Sequence, residues 1–339
     1  MRAPNGGFRG AFDSAIFKVF SKGSTVPAMS HPLPAQSGPE ESETRVPNAG
    51  SQNPRLQSSK HGGRRLLAGS EIELVNPDIP RGRFKTVLFD FDGTLSLIRE
   101  GWPDVMIPMM VRTLQATGTV ESASELARAV EEFVMRLNGR QTIYQMIQLA
   151  EEVRRRGGSP CDPIEYKHQY HELLWQRIEG RVRGLRDRST TPEQMALPGS
   201  HQLLAELTDR GMGLYLASGT DLNYVRDEAE AIGVASFFGP HIYGALDDYQ
   251  NFSKQMIIDR ILTENSLRGE ELLGFGDGYV EIEEIKRVGG VAVGVASDEV
   301  RRAGVNEWKR NRLIQAGADI IVPEYRQRKV LLEYLFGLG

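Results

Sequence analysis

The second half of the chain alternates apolar segments with amphipathic ones, and this alternation restricts the possible folds more than any other feature. Five segments have the length and composition of buried strands: residues 213–217, 241–244, 271–275, 291–296 and 319–322. The stretches between them have the periodicity of helices. Strands that alternate with helices in this way form a parallel sheet that is covered on both faces. This part of the chain is therefore predicted to be an α/β core.

A further strand is predicted upstream of this region, at residues 85–89. It ends on two aspartates, Asp90 and Asp92, and Gly93 stops the apolar run at once. Parallel sheets place their chemistry at the carboxyl ends of their strands. Two carboxylates at such an edge are costly to hold together unless a cation or a proton lies between them. Because an Asp-x-Asp-Gly turn is also common by itself, the other strand ends must supply partners.

A long helical region separates that strand from the others. Residues 102–188 carry apolar helical faces and turn signals but no strand pattern. We therefore predict an all-helical cap, residues 99–191, inserted between two parts of the core, residues 81–98 and 192–339. The natural place for such an insert is over the C-terminal edge of the sheet.

The first part of the chain differs from the rest. Residues 1–80 are rich in Gly, Ser, Pro, Asn and Gln, and they lack apolar periodicity outside residues 11–20. Such a segment buries too little apolar surface to offset the entropy lost on ordering, so a disordered or poorly ordered tail is predicted. Residues 71–80 have the pattern of an additional edge strand. The composition of the tail also permits an organelle transit peptide.

Charge and composition exclude several classes of partner. A net charge of −4 and a pI near 6.0 argue against general binding to nucleic acid or anionic membranes. Cys161 is the only cysteine, which rules out an intrachain disulfide and suits a reducing compartment. No apolar run approaches the ~18–20 residues of a membrane span. We expect a cytoplasmic protein without a nucleic-acid or membrane partner, and no protein partner is identifiable.

Polar residues follow the predicted strands or begin the next helices, and they are expected to meet at one edge of the sheet. Six residues share this position: Asp90, Asp92, Ser218, Lys254, Asp277 and Glu281. Each of them alone is weak evidence for a site, because a turn or a surface position is the more usual role. A lysine in the first turn of a helix even opposes the helix dipole. Their joint placement on one sheet favours a common site.

Together these residues suit phosphoryl transfer. Asp90 is predicted to be the nucleophile that forms an aspartyl-phosphate, and Asp92 to protonate the leaving oxygen and then activate water. Ser218 and the backbone N–H groups at Gly219 are predicted to bind phosphate oxygens at a helix start. Lys254 would add positive charge to the same oxygens and restrain the nucleophile. Asp90, Asp92 and Asp277, with Glu281 behind them, suit Mg²⁺, which prefers oxygen ligands.

These residues resemble the four ordered motifs of the haloacid dehalogenase superfamily: Asp90-Phe91-Asp92-Gly93-Thr94-Leu95, Ser218-Gly219, Lys254 and Gly276-Asp277-Gly278-x-x-Glu281. The resemblance covers about residues 83–339, and the helical insert resembles the cap of the phosphoglycolate-phosphatase-like and β-phosphoglucomutase-like branch. It implies a Rossmann-like core, an aspartyl-phosphate and bound Mg²⁺.

The resemblance also implies a ligand set for this Mg²⁺: the Asp90 carboxylate, the Asp92 backbone carbonyl and Asp277, with Glu281 acting through water. Glu281 replaces the more frequent aspartate, and residues 96–102 depart from the family pattern. The substrate of better-known members therefore does not transfer to this chain.

Few residues of the cap can be assigned from the sequence. Arg140 lies in the loop 138–141 between two predicted helices and is a candidate to contact anionic or hydroxyl groups of the substrate. An arginine beside a turn is more often solvated. Arg99 and Trp102 follow the first motif, and they are expected to line the entrance of the site or to pack it.

The function predicted from the sequence is that of an enzyme, a phosphoric monoester hydrolase. A Mg²⁺-dependent phosphatase would hydrolyse a small phosphorylated metabolite, such as a sugar phosphate or a phosphoglycolate-like compound. A phosphomutase or phosphotransferase is the alternative, because Asp90 and Asp92 serve both. A non-catalytic binding module is less consistent with the intact set of residues. Dehalogenation is disfavoured, because attack on carbon leaves Asp92 and Asp277 unexplained.

Overall fold

The computed structural model describes residues 58–61, 63–246 and 252–337. The part of the predicted tail that precedes residue 58 lies outside the described residues. Within them, the strands form one nine-stranded sheet in the order β1-β2-β3-β9-β8-β7-β4-β5-β6. In chain order the strands are β1 (Ser58–His61), β2 (Arg64–Leu67), β3 (Glu73–Leu74), β4 (Thr86–Phe89), β5 (Gly213–Asp221), β6 (Ile242–Ala245), β7 (Leu272–Gly276), β8 (Val291–Val295) and β9 (Ile320–Val322).

The strands β4 to β9 are parallel, and they form the α/β core that the alternation of segments predicts. β4 lies in the middle, between β5 and β7. Its residue Phe89 is in register with Leu216 of β5 and with Phe275 of β7. The residues that follow these three strands therefore meet at the same edge of the sheet.

Both faces of this sheet are buried, which explains the continuous apolar sequence of its strands. Val87 and Phe89 of β4 pack into one hydrophobic cluster, and Leu88 packs into another. The ring of Phe89 stacks on that of Phe275 with centroids 4.8 Å apart. This packing helps to hold β4, the strand that leads into the first motif, in register with β7.

Helices cover the sheet and form the insert. The core helices are α5 (Pro192–Met195), α6 (Ser200–Asp209), α7 (Leu222–Ala231), α8 (Ala235–Phe238), α9 (Lys254–Glu264), α10 (Tyr279–Arg287), α11 (Glu307–Gln315) and α12 (Arg328–Phe336). The helical insert between β4 and β5 consists of α1 (Pro103–Gln115), α2 (Ala123–Arg136), α3 (Thr142–Arg155) and α4 (Pro163–Arg186). This is the four-helix, strand-free arrangement predicted for that region.

The insert has a hydrophobic interior, which is continuous with one of the two hydrophobic clusters of the core. The methionines at 106, 109 and 110 in α1 are each at most 1% exposed. Helix α2 begins with a capping box, in which Ser122 and Glu125 satisfy each other's backbone N–H groups. The ammonium of Lys167 in α4 lies 2.6 Å from Asp221 at the end of β5. The insert is therefore joined to the core by a polar contact next to the predicted phosphate loop.

The predicted tail extends too far along the chain, and the expectation is wrong for residues 64–80. Leu67 and Ile72 are at most 1% exposed, and β3 pairs with β9. Glu73 forms an ion pair with Arg310 at 2.5 Å. The additional strand predicted within residues 71–80 is present as β3, but the prediction of an edge strand is wrong, because β3 lies between β2 and β9. The larger error arises because two short strands bury their few apolar side chains against a distant sheet edge, which local composition does not reveal.

Among the described residues, none of the helices combines the length and the apolarity that a membrane crossing requires. The cytoplasmic location expected from the sequence stays a prediction.

Candidate active site

The first motif forms a tight turn at the end of β4. Asp90 continues the strand, because its N–H donates to the carbonyl of Phe275 at 2.9 Å. Gly93 then adopts a positive φ of 73°, a conformation that favours glycine. A Cβ atom at this position would lie 2.3 Å from Oδ2 of Asp277. The glycine is therefore required both by the turn and by the close approach of the neighbouring strand end.

The two aspartates of this motif have different surroundings, and Asp90 faces a buried lysine. Nζ of Lys254 lies 2.6 Å from Oδ1 of Asp90 and 2.9 Å from Oε2 of Glu281. All three side chains are buried. Burial raises the pKa of Asp90 well above its ordinary value, and the charge of Lys254 opposes that rise. Lys254 restrains the carboxylate, as the sequence predicts.

Among the described residues, Asp92 accepts hydrogen bonds through one oxygen of its carboxylate. Its Oδ2 accepts hydrogen bonds from the hydroxyls of Ser218 at 3.2 Å and Thr220 at 2.9 Å. Its Oδ1 is buried and has no hydrogen-bond partner among the described residues. Nε of Arg99 lies 3.7 Å from that oxygen. One carboxylate oxygen is therefore fixed, and the other is left for a different contact.

Three of the four acidic residues predicted to hold the metal form a cluster, and the carboxylate of Asp92 is not part of it. Asp90, Asp277 and Glu281 each offer an oxygen, and these oxygens lie within 4.8 Å of one another. Oε1 of Glu281 also accepts the N–H of Gly278, which fixes its side chain at the start of α10. Burial raises the pKa of Asp277 to about 6, and its ion pair with Lys309 opposes the rise. The cluster supplies oxygen atoms, the kind of donor that a hard cation prefers.

A cavity of about 90 Å³ lies between this edge of the sheet and the helical insert. The core lines it with Asp90, Asp92, Gly93, Ser218, Gly219, Thr220, Lys254, Asp277 and Glu299. The insert and the segment leading into it line it with Arg99, Glu100, Trp102, Met106, Asn138, Gly139, Arg140, Thr142, Gln145 and Tyr170. Of the eight site residues predicted from the sequence, only Glu281 is absent from this lining. It lies directly behind, bonded to Lys254.

The loop that carries Arg140 rests on Gly219. Ser218 and Gly219 lie within β5 and not at the helix start that the sequence predicts, because the strand continues to Asp221. A Cβ atom on Gly219 would lie 2.8 Å from the carbonyl oxygen of Arg140. The guanidinium of Arg140 lies over the ring of Tyr144, with Cζ 6.0 Å from the ring centroid. The structure therefore brings Arg140 to the cavity, although the residue as a whole is exposed.

Arg99 both lines the cavity and packs the entrance, as expected for the segment after the first motif. Its Nη2 donates to Oε1 of Glu228 at 2.7 Å, and its Nε lies 3.1 Å from both oxygens of that carboxylate. Glu228 belongs to α7 and is 2% exposed. The sequence does not reveal this partner, because a glutamate within an amphipathic helix is usually solvated.

Two further site residues were missed, Lys309 and Glu299. Nζ of Lys309 lies 2.7 Å from Oδ2 of Asp277 and 2.5 Å from Oε1 of Glu299. One signal exists in the sequence: Lys309 is three residues after Asn306, whose side chain caps α11. A lysine in the first turn opposes the helix dipole, as at Lys254, and such a position suggests a nearby anion.

The comparisons with known proteins agree with this architecture. A family model described as "haloacid dehalogenase-like hydrolase" matches residues 84–289. A search of curated proteins found no match.

Several solved structures are similar. A predicted phosphoglycolate phosphatase from Haemophilus somnus 129PT is 15% identical, with a TM-score of 0.49 over 74% of this chain and 98% of that chain. A hydrolase from Deinococcus radiodurans R1, solved with bound phosphate and sodium, is 16% identical, with a TM-score of 0.47 over 76% and 98%. A β-phosphoglucomutase from Clostridium difficile is 12% identical, with a TM-score of 0.44 over 68% and 98%. At such low identity none of them indicates the substrate of this chain.

Proposed function

The chain belongs to the haloacid dehalogenase-like hydrolases, whose family model covers residues 84–289, and from this membership and the site we propose that it is a Mg²⁺-dependent phosphatase. Its substrate would be a small phosphorylated metabolite. One observation carries the proposal: at the cavity, Asp90 is bonded to a buried lysine, while Asp92 keeps one buried oxygen without a hydrogen bond. This is the arrangement that a nucleophile and a separate acid-base group require.

The acidic cluster fits Mg²⁺. Asp90 and Glu281, which are buried, and Asp277, which is half-buried, supply oxygen donors that lie close together, and Mg²⁺ prefers such donors. We propose that these carboxylates, with the backbone carbonyl of Asp92, hold the ion directly or through water. When bound, the ion would supply positive charge that lets an anionic phosphate approach an anionic nucleophile.

The first chemical step is assigned to the two aspartates. An oxygen of Asp90 attacks phosphorus, and the bond between phosphorus and the leaving oxygen breaks as the aspartyl-phosphate forms. Asp92 gives its proton to the leaving oxygen. Ser218 and Thr220 hold Oδ2 of Asp92, so that Oδ1 is the atom available for this transfer.

The second step reverses the roles. Asp92, now a carboxylate, takes a proton from water, and the water oxygen attacks phosphorus. The bond between phosphorus and Asp90 breaks and inorganic phosphate leaves. Lys254 is bonded to Asp90 and supplies positive charge beside the transferred group. Ser218 and Gly219 line the cavity and stay our proposed phosphate contacts, although the Ser218 hydroxyl donates to Asp92 in this structure.

The helical insert is proposed to select the leaving group. Its contribution to the cavity combines apolar side chains, such as Trp102 and Met106, with polar ones, such as Asn138 and Gln145. Arg140 lies at the same cavity and stays the proposed contact for an anionic or hydroxyl group. This mixed lining suits a small polar metabolite such as a sugar phosphate or a phosphoglycolate-like compound.

The test is hydrolysis of p-nitrophenyl phosphate by purified protein with Mg²⁺ or with EDTA. We expect activity only with Mg²⁺, and loss of activity in Asp90→Asn. Asp209→Asn, which changes an exposed aspartate in α6, should retain full activity. Beryllium fluoride should bind the wild type and not Asp90→Asn. Wild-type rates for Asp90→Asn, or undiminished rates in EDTA, would refute the mechanism.

A panel of phosphorylated metabolites, compared by kcat/KM, would then identify the substrate class. Release of inorganic phosphate distinguishes a phosphatase from a phosphomutase or phosphotransferase, which returns the group to an organic hydroxyl.

A further inference from the structure

A second lysine, Lys309, lies at the acidic cluster. It follows the fourth motif in the chain. The ammonium of Lys309 bridges two carboxylates, Oδ2 of Asp277 at 2.7 Å and Oε1 of Glu299 at 2.5 Å. The residue is 9% exposed, and neither Lys309 nor Glu299 belongs to the four motifs. Burying a charged lysine costs free energy, so its two charge-assisted hydrogen bonds indicate a specific role at this position.

Local hydrogen bonds fix the segments that carry Lys309 and Glu299. Asn306 accepts the N–H of Lys309 and so starts α11 at a defined residue. The preceding loop is anchored to the first motif, because the hydroxyl of Ser297 donates to the carbonyl of Gly93 at 3.2 Å. Lys309 and Glu299 thus stand on two elements that are both fixed relative to the turn after Asp90.

The charges of the bridge nearly cancel. Lys309 brings one positive charge and Glu299 one negative charge, and their atoms are in contact. The pair therefore adds almost no net charge beside Asp277. A residue that served only to neutralise Asp277 would not need a second carboxylate. What the bridge does supply is a fixed position for Oδ2 of Asp277, while Oδ1 takes no part in the pair.

We propose that Lys309, held by Glu299, is a positioning residue that orients Asp277 for the divalent cation. This inference rests on the proposed function, since it assumes that Asp277 binds Mg²⁺. Hydrogen-bonding partners of metal ligands reduce the cost of arranging the site, and their loss typically weakens metal binding by about 10–100-fold. Lys309 acts on the reaction only through Asp277.

The test uses a double variant, Lys309→Met with Glu299→Gln, which removes the bridge without changing the net charge of the protein. Mg²⁺ binding is measured by isothermal titration calorimetry on the metal-free full chain, and folding is checked by circular dichroism. We expect binding to weaken by about 10–100-fold. Activity at limiting Mg²⁺ should fall in parallel. The control is Arg183→Gln with Glu179→Gln, a neutral change at an exposed pair.

Each outcome decides a separate point. Equal Mg²⁺ affinity in the wild type and the double variant would overturn the inference and leave the proposed function standing. Absence of Mg²⁺ binding by the wild type would refute the proposed function itself. If the double variant does not fold, Lys309→Arg decides, because it keeps both charges but changes the geometry of the donor. We expect several-fold weaker binding, and unchanged affinity would overturn the inference.

Discussion

The guanidinium of Arg99 donates to both carboxylate oxygens of Glu228, with Nη2 2.7 Å from Oε1. Both residues are buried, at 8% and 2% exposure. Arg99 lies where the chain leaves the core for the helical insert, and Glu228 lies in α7 of the core. The pair therefore fixes the start of the insert next to Asp92, whose Oδ1 lies 3.7 Å from Nε of Arg99.

Removal of Arg99 is expected to destabilise the protein strongly. Arg99→Met leaves Glu228 as a buried charge without its partner, and such changes cost about 3–5 kcal/mol in the free energy of unfolding. Arg99→Met with Glu228→Leu should recover most of that loss. Urea denaturation measures both. Arg183→Met, at an exposed pair with Glu179, should stay within about 0.5 kcal/mol of the wild type. Equal losses in the single and double variants would contradict this account.

His171 is expected to make the protein less stable in acid. Burial lowers its pKa to about 3, and the charges of Arg99, Lys167 and His168 act in the same direction. Asp221 lies 3.8 Å away but is paired with Lys167 at 2.6 Å.

The unfolded chain binds this proton near pH 6.5, and the folded chain only near pH 3, so stability falls as the pH drops through that window. The slope from this group approaches about 1.4 kcal/mol per pH unit. His171→Gln should lack this contribution when unfolding is followed between pH 7 and pH 4. His168→Gln, at an exposed neighbour, should retain it. The same pH dependence in both variants would exclude His171 as its source.

Gly219→Ala is expected to disturb the contact between the insert and the core. The new Cβ atom would lie 2.8 Å from the carbonyl oxygen of Arg140, so either the loop or the strand end must move. A displacement of this size near reacting groups lowers kcat/KM by up to about 100-fold. Steady-state kinetics with p-nitrophenyl phosphate measures it. Gly180→Ala, in open space on α4, should leave kcat/KM unchanged. Equal kinetics in both variants would show that the contact is not needed.

Leu67→Ala is expected to destabilise the core. Leu67 is 0% exposed in a segment that composition assigns to a tail. Truncation of such a buried side chain costs about 2–5 kcal/mol. Val120→Ala is the control, because that side chain is fully exposed, and its effect should lie within about 0.5 kcal/mol. Urea denaturation of the full chain compares the two. A loss below 1 kcal/mol for Leu67→Ala would mean that this segment contributes little to the fold.

The sequence predicts the order of elements well, because local patterns encode it. Strands that are buried on both faces have continuous apolar runs, and Asp90 and Asp277 follow two of them. Since parallel strands end at one edge, both carboxylates are expected at that edge, and the direct pairing of β4 with β7 makes them neighbours. The helical nature of the insert follows from the same kind of local periodicity. These features can be predicted from residues that are close to one another in the chain.

Other features depend on residues far apart in the chain, and no local sequence pattern predicts them. Lys309 reaches Asp277 across 32 positions, and Glu228 meets Arg99 across 129. β3 is two residues long and is stabilised by its pairing with β9. The sequence alone thus determined the family and the parallel strands of the sheet, and it predicted the candidate site residues at the ends of those strands. Only the tertiary structure decided which oxygen of each aspartate is held, because that choice depends on packing between distant elements.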